Sequence, residues 1–173
     1  ILQSDNPGNA DDTTLTGVNG LVFDHPNDEA DTADRGSIIF DFLSPVEPTS
    51  IDLIDINGGA HVTLYLTDSS GDQRVYDVPS KWTTDVTVDP TGWQTLWLNT
   101  LAAQPSEPNA IGGDATVILN EAGYDPLDVV QLRVAFDSTG TSSAGIDNLV
   151  FVPEPASLVL LGLGGLAVVR RRA

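Results

Sequence analysis

The sequence predicts an all-β fold, an antiparallel β-sandwich, followed by a short apolar helix at the carboxy terminus. Three observations carry this. Short runs rich in β-formers recur along the body, most alternating apolar and polar residues at period 2. Turn signals built on Gly, Pro, Asn and Asp separate them. No run outside the tail shows a helical period, and the tail holds an uncharged stretch from Ala156 to Val169.

The elements follow in order. Residues 1–16 are polar and poor in large apolar groups, and are read as a flexible lead-in. The first strong strand is Ser37 to Leu43, stopped at Ser44-Pro45; Ser50 to Ile56 is the next. Asn57-Gly58 then lies between two apolar runs, the sequence of a type I′ turn, so Ser50 to Ile56 is expected to form a hairpin with Ala60 to Thr67. Val62, Leu64 and Leu66 share one face of that second strand. Asp68 to Asp72 is a further turn, leading to Arg74 to Val78. Later strands are Trp93 to Leu98, Ala115 to Leu119, Val129 to Phe136 and Ala144 to Val152. In Val129 to Phe136 the apolar face is Val130, Leu132, Val134 and Phe136. Leu101 to Gly113, with two prolines and a Gly-Gly, is a long loop. Many short strands at this spacing indicate two packed antiparallel layers, here spanning residues 17–152.

Composition narrows the function. The 173 residues carry 25 acidic and 7 basic side chains, a formal charge of −18. Up to Val152 there are 24 acidic residues against 4 basic ones; the last 21 residues set Glu154 against three arginines. An acidic body excludes nucleic acid as a partner, because a phosphate backbone needs a basic face. There is no cysteine, hence no disulfide, thiolate metal site or cysteine nucleophile. The chain starts Ile1-Leu2 without methionine, which we read as a processed product or fragment with its signal peptide outside it.

The tail explains the charge asymmetry. Val152-Pro153-Glu154-Pro155 precedes an uncharged segment at 156–169, followed by Arg170, Arg171 and Arg172. As a helix those 14 residues span about 21 Å, short of the ~30 Å of a bilayer core. The arginines can snorkel, lengthening the span, and belong on the cytoplasmic side. Pro-Glu-Pro, a Gly/Leu-rich apolar helix and a terminal arginine cluster, in that order, resemble the PEP-CTERM sorting signal of bacterial exported proteins, here at 153–173. The resemblance implies export, transient membrane anchoring, and processing near Pro-Glu-Pro by an exosortase, in bacteria that make exopolysaccharide and biofilm matrix. The body resembles the jelly-roll-like ectodomain often found ahead of this tail, through Gly36, Ile38, Phe40, Phe42, Pro45 and Val46, then Ser50, Leu53, Asp55 and Ile56, then Gly145 to Leu149. Such ectodomains are similar to carbohydrate-binding modules.

Candidate sites are few. Asp24, Asn27, Asp28, Asp31 and Asp34 form an acidic loop that offers the hard oxygen ligands calcium prefers. Asp147 is expected to close the site, because a jelly roll brings its first and last strands side by side. A solvated acidic loop is the competing reading. Among the tryptophans, Trp82 follows Pro79-Ser80-Lys81 and is read as the exposed aromatic, the candidate glycan contact. Trp93 and Trp97 share a strand face, as a sugar platform or a core would, and are placed in the core. His61 opposes the apolar face of its strand and is given a surface or cross-strand role. No nucleophile elbow, zinc pair or phosphate loop is present. The expectation is an exported, non-catalytic surface or matrix protein; the alternatives are a carbohydrate-binding module of the exopolysaccharide matrix and a secreted hydrolase.

Overall fold

The computed structural model describes residues 21–23, 34–56, 58–84, 92–138 and 144–153. The lead-in, most of the acidic loop and the tail helix expected at 156–169 lie outside them. Among the described residues eight strands follow one another: β1 Leu21–Phe23, β2 Asp34–Ile54, β3 Ala60–Asp68, β4 Gln73–Val78, β5 Trp93–Trp97, β6 Thr116–Asn120, β7 Val129–Ser138 and β8 Ala144–Pro153. All pairings are antiparallel, and the described residues contain no helix.

The strands form one continuous curled sheet in the order β1-β8-β2-β7-β3-β4-β6, with β5 also paired to β2. The expected two separate layers are joined because β2 is 21 residues long and serves both arms of the curl. Its first half, Asp34 to Asp41, pairs with β7; its second half pairs with β8 on one edge and β5 on the other. The sequence reading divided this strand at Ser44-Pro45. The chain instead runs on through register shifts between Asp41 and Val46 and between Pro48 and Ser50. Such irregularities bend a strand and raise its twist without ending it.

The hairpin expected at Asn57-Gly58 does not form. Gly58 has the positive φ, 49°, that such a turn favours. However, Ser50 to Ile54 already pairs on both edges, so no ladder is left for β3. The chain crosses to the far side of β7, which pairs with β2 on one edge and β3 on the other.

One hydrophobic cluster fills the curl. It draws Ile51 and Leu53 from β2, Val62, Leu64 and Leu66 from β3, Tyr76 and Val78 from β4, Leu96 from β5, Leu132 and Val134 from β7, and Ile146 from β8. The face expected on β3 is the buried one, with strict alternation along the strand. On β7 the expected face holds from Leu132 to Phe136 but slips at its start: Val129 is buried and Val130 is not. Thr67 pairs with Gln131 and Asp68 with Val129, so Val130 is the extra residue of a bulge and the alternation shifts by one.

Polar groups close the ends of the curl. Asp68 is buried at the β3–β4 turn. Its Oδ1 accepts from the Ser70 N–H (2.9 Å), the Ser70 hydroxyl (2.7 Å) and the Asp72 N–H (3.0 Å), and its Oδ2 from the Asp125 N–H (2.9 Å). Burial pushes its pKa up, but these bonds, Asp125 foremost, outweigh that and hold it below the usual carboxylate value. Tyr76 donates from its hydroxyl toward the Leu98 and Thr100 carbonyls, tying β4 to the chain after β5. Burial raises its pKa, against the opposing effect of nearby Arg74.

Candidate functional site

β5 has two faces, and both are apolar. Leu96 points into the core together with Leu98, which follows the strand. Trp93 and Trp97 point outward, 46% and 51% exposed, with Thr95 between them. The placement of Trp93 and Trp97 in the core is therefore corrected: two leucines at alternate positions already fill the inner face, so the tryptophans take the outer one. Along a strand, four residues separate side chains by about 13 Å.

The tryptophans line an open groove of about 770 Å³ with Ala103, Gln104, Pro105, Glu107, Pro108 and Asn109 from the loop that follows β5. Gln104 fastens that loop to the strand. β5 pairs with β2 through Trp97↔Ser50, Leu96↔Ile51 and onward. At Trp97, the Gln104 carboxamide completes the backbone's hydrogen bonding as a peptide group would. Its Oε1 accepts from the Trp97 N–H at 2.7 Å and its Nε2 donates to the Trp97 carbonyl at 2.8 Å. The Gln104 backbone is itself paired with Ala115 in both directions, at 2.9 and 2.8 Å. Gln94 adds a bond from its carboxamide to the Pro105 carbonyl. The aromatic platform and the opposite wall of the groove are thus fixed to one another.

Glu107 is the only charged residue among the described lining residues. It is buried; its Oε2 accepts from the Thr84 N–H (2.7 Å) and hydroxyl (2.9 Å), and its own N–H donates to the Trp82 carbonyl (2.9 Å). On the strand's β2 side the Thr95 hydroxyl donates to Asp52 Oδ1 at 2.6 Å, and Asn148 Nδ2 donates to Asp52 Oδ2 at 2.8 Å. These bonds satisfy a buried carboxylate and anchor the strand beneath the groove.

Trp82, expected as the exposed aromatic, is fully buried. Its Nε1–H donates to the Gln104 carbonyl at 3.3 Å, and its ring belongs to the core cluster. The reason is local: Lys81 adopts φ +63°, turning the chain so that Lys81 faces solvent and Trp82 faces inward. A glycan has no access to it. The two tryptophans that reach solvent escape a reading by periodicity because Trp93 to Leu98 is apolar on both faces, and periodicity does not say which face is inner.

Of the calcium residues, Asp24, Asn27, Asp28 and Asp31 lie outside the described residues. Asp34 opens β2, its backbone in register with Ser138. Asp147 sits opposite Asp52 on β8, and its Oδ1 accepts from the Asn148 N–H at 2.8 Å. β1 does pair with β8, Leu21 with Ile146, so the first and last strands lie together. Among the described residues no group of three or more acidic or histidine side chains is arranged to hold a metal. His61 has the cross-strand role expected, with Nε2 2.9 Å from Asp77 on β4.

At the other end of the fold β8 runs into the tail. Val152 pairs with Glu47 and Pro153 with Val46, so the described fold reaches the first residue of Pro-Glu-Pro. Among the described residues no helix is long and apolar enough to cross a membrane.

Comparison with known proteins identifies this tail. Residues 151–173 match the PEP-CTERM protein-sorting motif. This signal indicates export, with the carboxy-terminal segment anchored in the membrane before processing and the cell surface as the destination, and it implies that an exosortase does the processing. No curated protein matches the chain. Among solved structures it is similar to one titled "Structure of PfGH50B", at 13% identity and a TM-score of 0.46, over 70% of this chain and 19% of that one. That is too distant a likeness to bear on function.

Proposed function

We propose that this is a non-catalytic cell-surface or extracellular-matrix protein whose folded body holds a polysaccharide in the Trp93–Trp97 groove. The sorting tail delivers the domain to the outside, and the groove attaches it to the exopolysaccharide there. The observation that supports this is the pair of exposed indoles on one face of β5, about 13 Å apart along the strand. Aromatic faces stack on the C–H faces of pyranose rings, and the separation leaves room for more than one ring. The wall opposite supplies the exposed carboxamide of Asn109, one of the few polar groups that a ligand groove uses among apolar surface, while Gln104 holds that wall in place.

Binding is favoured over hydrolysis by the carboxylates. Glycoside hydrolysis uses two flanking the scissile bond. Among the described lining residues the groove has one, Glu107, and that one is engaged by Thr84.

The experiment is retardation of the protein in gels containing a panel of neutral and acidic polysaccharides. Trp93→Ala and Trp97→Ala are expected to weaken retardation about tenfold each, with little loss of stability because both side chains are exposed. Trp82→Phe, in the core, should lower the melting temperature and leave retardation intact. No retardation by any polysaccharide, or equal retardation of wild type and both alanine variants, would remove the reading.

A further inference from the structure

The end of the fold nearest the tail carries apolar side chains that face outward. Val150, Phe151 and Val152 are consecutive in β8 and are 49%, 42% and 51% exposed. A strand with one face on a core exposes alternate residues. Three in succession mean that neither face of this strand end is fully covered by the described residues. Beside them, in the irregular stretch of β2, Leu43 is fully exposed. The neighbouring Phe42 meets the Phe151 ring with centroids 5.4 Å apart, which joins the two strands' apolar groups into one patch.

The position of this patch along the chain gives it an occupant. β8 ends at Pro153, and the uncharged anchor segment begins at Ala156. Only Glu154 and Pro155 intervene, so the two ends are separated by at most about 10 Å of extended chain. As a helix, the 14 uncharged residues of the anchor would span about 21 Å, against a hydrocarbon core of ~30 Å. A span about 9 Å short is accommodated by thinning the bilayer or by drawing flanking residues into it. On the exported side, the flanking apolar residues are those of this patch.

We infer that the Phe42, Leu43 and Val150 to Val152 end of the fold docks into the interfacial region of the bilayer while the protein is anchored, so the domain rests on the membrane. The two-residue connection favours lipid as the occupant, since it keeps the patch within reach of the bilayer before any other partner arrives. Charge agrees: Asp41 and Glu47, the charged side chains at adjoining β2 positions, are acidic, which suits zwitterionic lipid better than anionic lipid. Neither contact is strong alone. A short anchor and a small apolar patch hold together as two signals, and removal of the anchor leaves too little to retain the domain. Processing at Pro-Glu-Pro then releases it.

The chain has no cysteine, so single cysteines can be placed at Leu43, Val152 and, as a control, exposed Ile118 on β6 at the far edge of the sheet. Each carries a polarity-sensitive fluorophore on the full chain in phosphatidylcholine vesicles. Emission from Leu43→Cys and Val152→Cys should shift to the blue and be quenched at least twofold by lipids with an interfacial quencher; Ile118→Cys should show neither. If all three behave alike, the domain hangs free and the inference fails. A blue shift that appears only after exosortase is added would assign the patch to the processing enzyme and overturn the lipid assignment. Independently, Leu43→Asp with Val152→Asp, both exposed positions, should lower the vesicle-bound fraction of the full chain about tenfold. An unchanged fraction, with the fold confirmed by circular dichroism, would also overturn it.

Discussion

Removing the Gln104 carboxamide tests whether the groove is built as described. Gln104→Ala deletes the bonds of 2.7 and 2.8 Å to the Trp97 N–H and carbonyl while leaving the Gln104 backbone bridge to Ala115 in place. Each such bond contributes about 0.5–1.5 kcal/mol net. Both bonds are only part-buried, so water reaches the freed Trp97 groups and the full penalty for orphaned polar atoms does not apply. The expected cost is therefore about 2 kcal/mol, or about 1 M in the urea midpoint at a slope of ~2 kcal/mol/M. Gln104→Glu should cost at least as much. A carboxylate accepts from the Trp97 N–H but has no hydrogen for the Trp97 carbonyl, and two oxygens then face each other. Glycan retardation should weaken roughly fivefold in both variants, because the platform loses its fixed distance from the opposite wall although Trp97 itself is intact. Urea unfolding followed by circular dichroism reads the stability, and gel retardation reads the binding. A midpoint within about 0.2 M of wild type for Gln104→Ala, roughly a fifth of the expected shift, would refute the reasoning.

Four further outcomes are expected. Asp68 has a depressed folded pKa, so its contribution is present above the unfolded value near 4 and is lost as pH falls through the folded value; the melting-temperature gap between wild type and Asp68→Asn should be full at pH 7 and close in acid. A gap that persists unchanged at pH 2 would show that ionisation plays no part. At Gly112 an added Cβ would lie 2.4 Å from the Lys81 carbonyl oxygen, which the Gly112 N–H also meets at 2.7 Å, so Gly112→Ala should cost about 1–3 kcal/mol, whereas Gly113→Ala meets only Pro79 at 3.9 Å and should be tolerated in the same thermal melt. If the acidic loop binds calcium, millimolar calcium should raise the melting temperature more than magnesium or sodium chloride at matched ionic strength, and Asp24→Asn or Asp28→Asn should abolish the difference; equal shifts with all three salts would leave only charge screening. Mass spectrometry of the released protein should place its end at or beyond Pro153, because Val152 and Pro153 are paired with Glu47 and Val46; an end before Val150 would contradict the description of that ladder.

The sequence showed most where a local signal is enough. Period 2 marked β3 and most of β7, because each has a single apolar face and burial must follow it. Turn chemistry placed Asp68, whose carboxylate serves its own turn. The sorting tail was fully legible, since its function rests on linear order and needs no partner surface. Other features depended on groups distant in sequence. Asn57-Gly58 is a hairpin signal, yet the strand before it was already paired on both edges by β5 and β8, which a local window does not contain. The same long pairing carried β2 through Ser44-Pro45.

The groove depended on tertiary structure most of all. Trp93, Thr95 and Trp97 alternate with Leu96 and Leu98, and either set is apolar enough to be core. The choice fell to the curled sheet, whose interior admits the leucines while Trp82 fills the space beside them. The Gln104 clamp needs the loop to return across β5, and nothing in Gln104's neighbours announces that return. Local conformation and linear motifs are set by residues close in the chain, so the sequence by itself determined a β-rich, exported protein with a membrane-directed tail. Which apolar face meets water is set by the volume and pairing of strands far apart in the chain, and only the tertiary structure decided it.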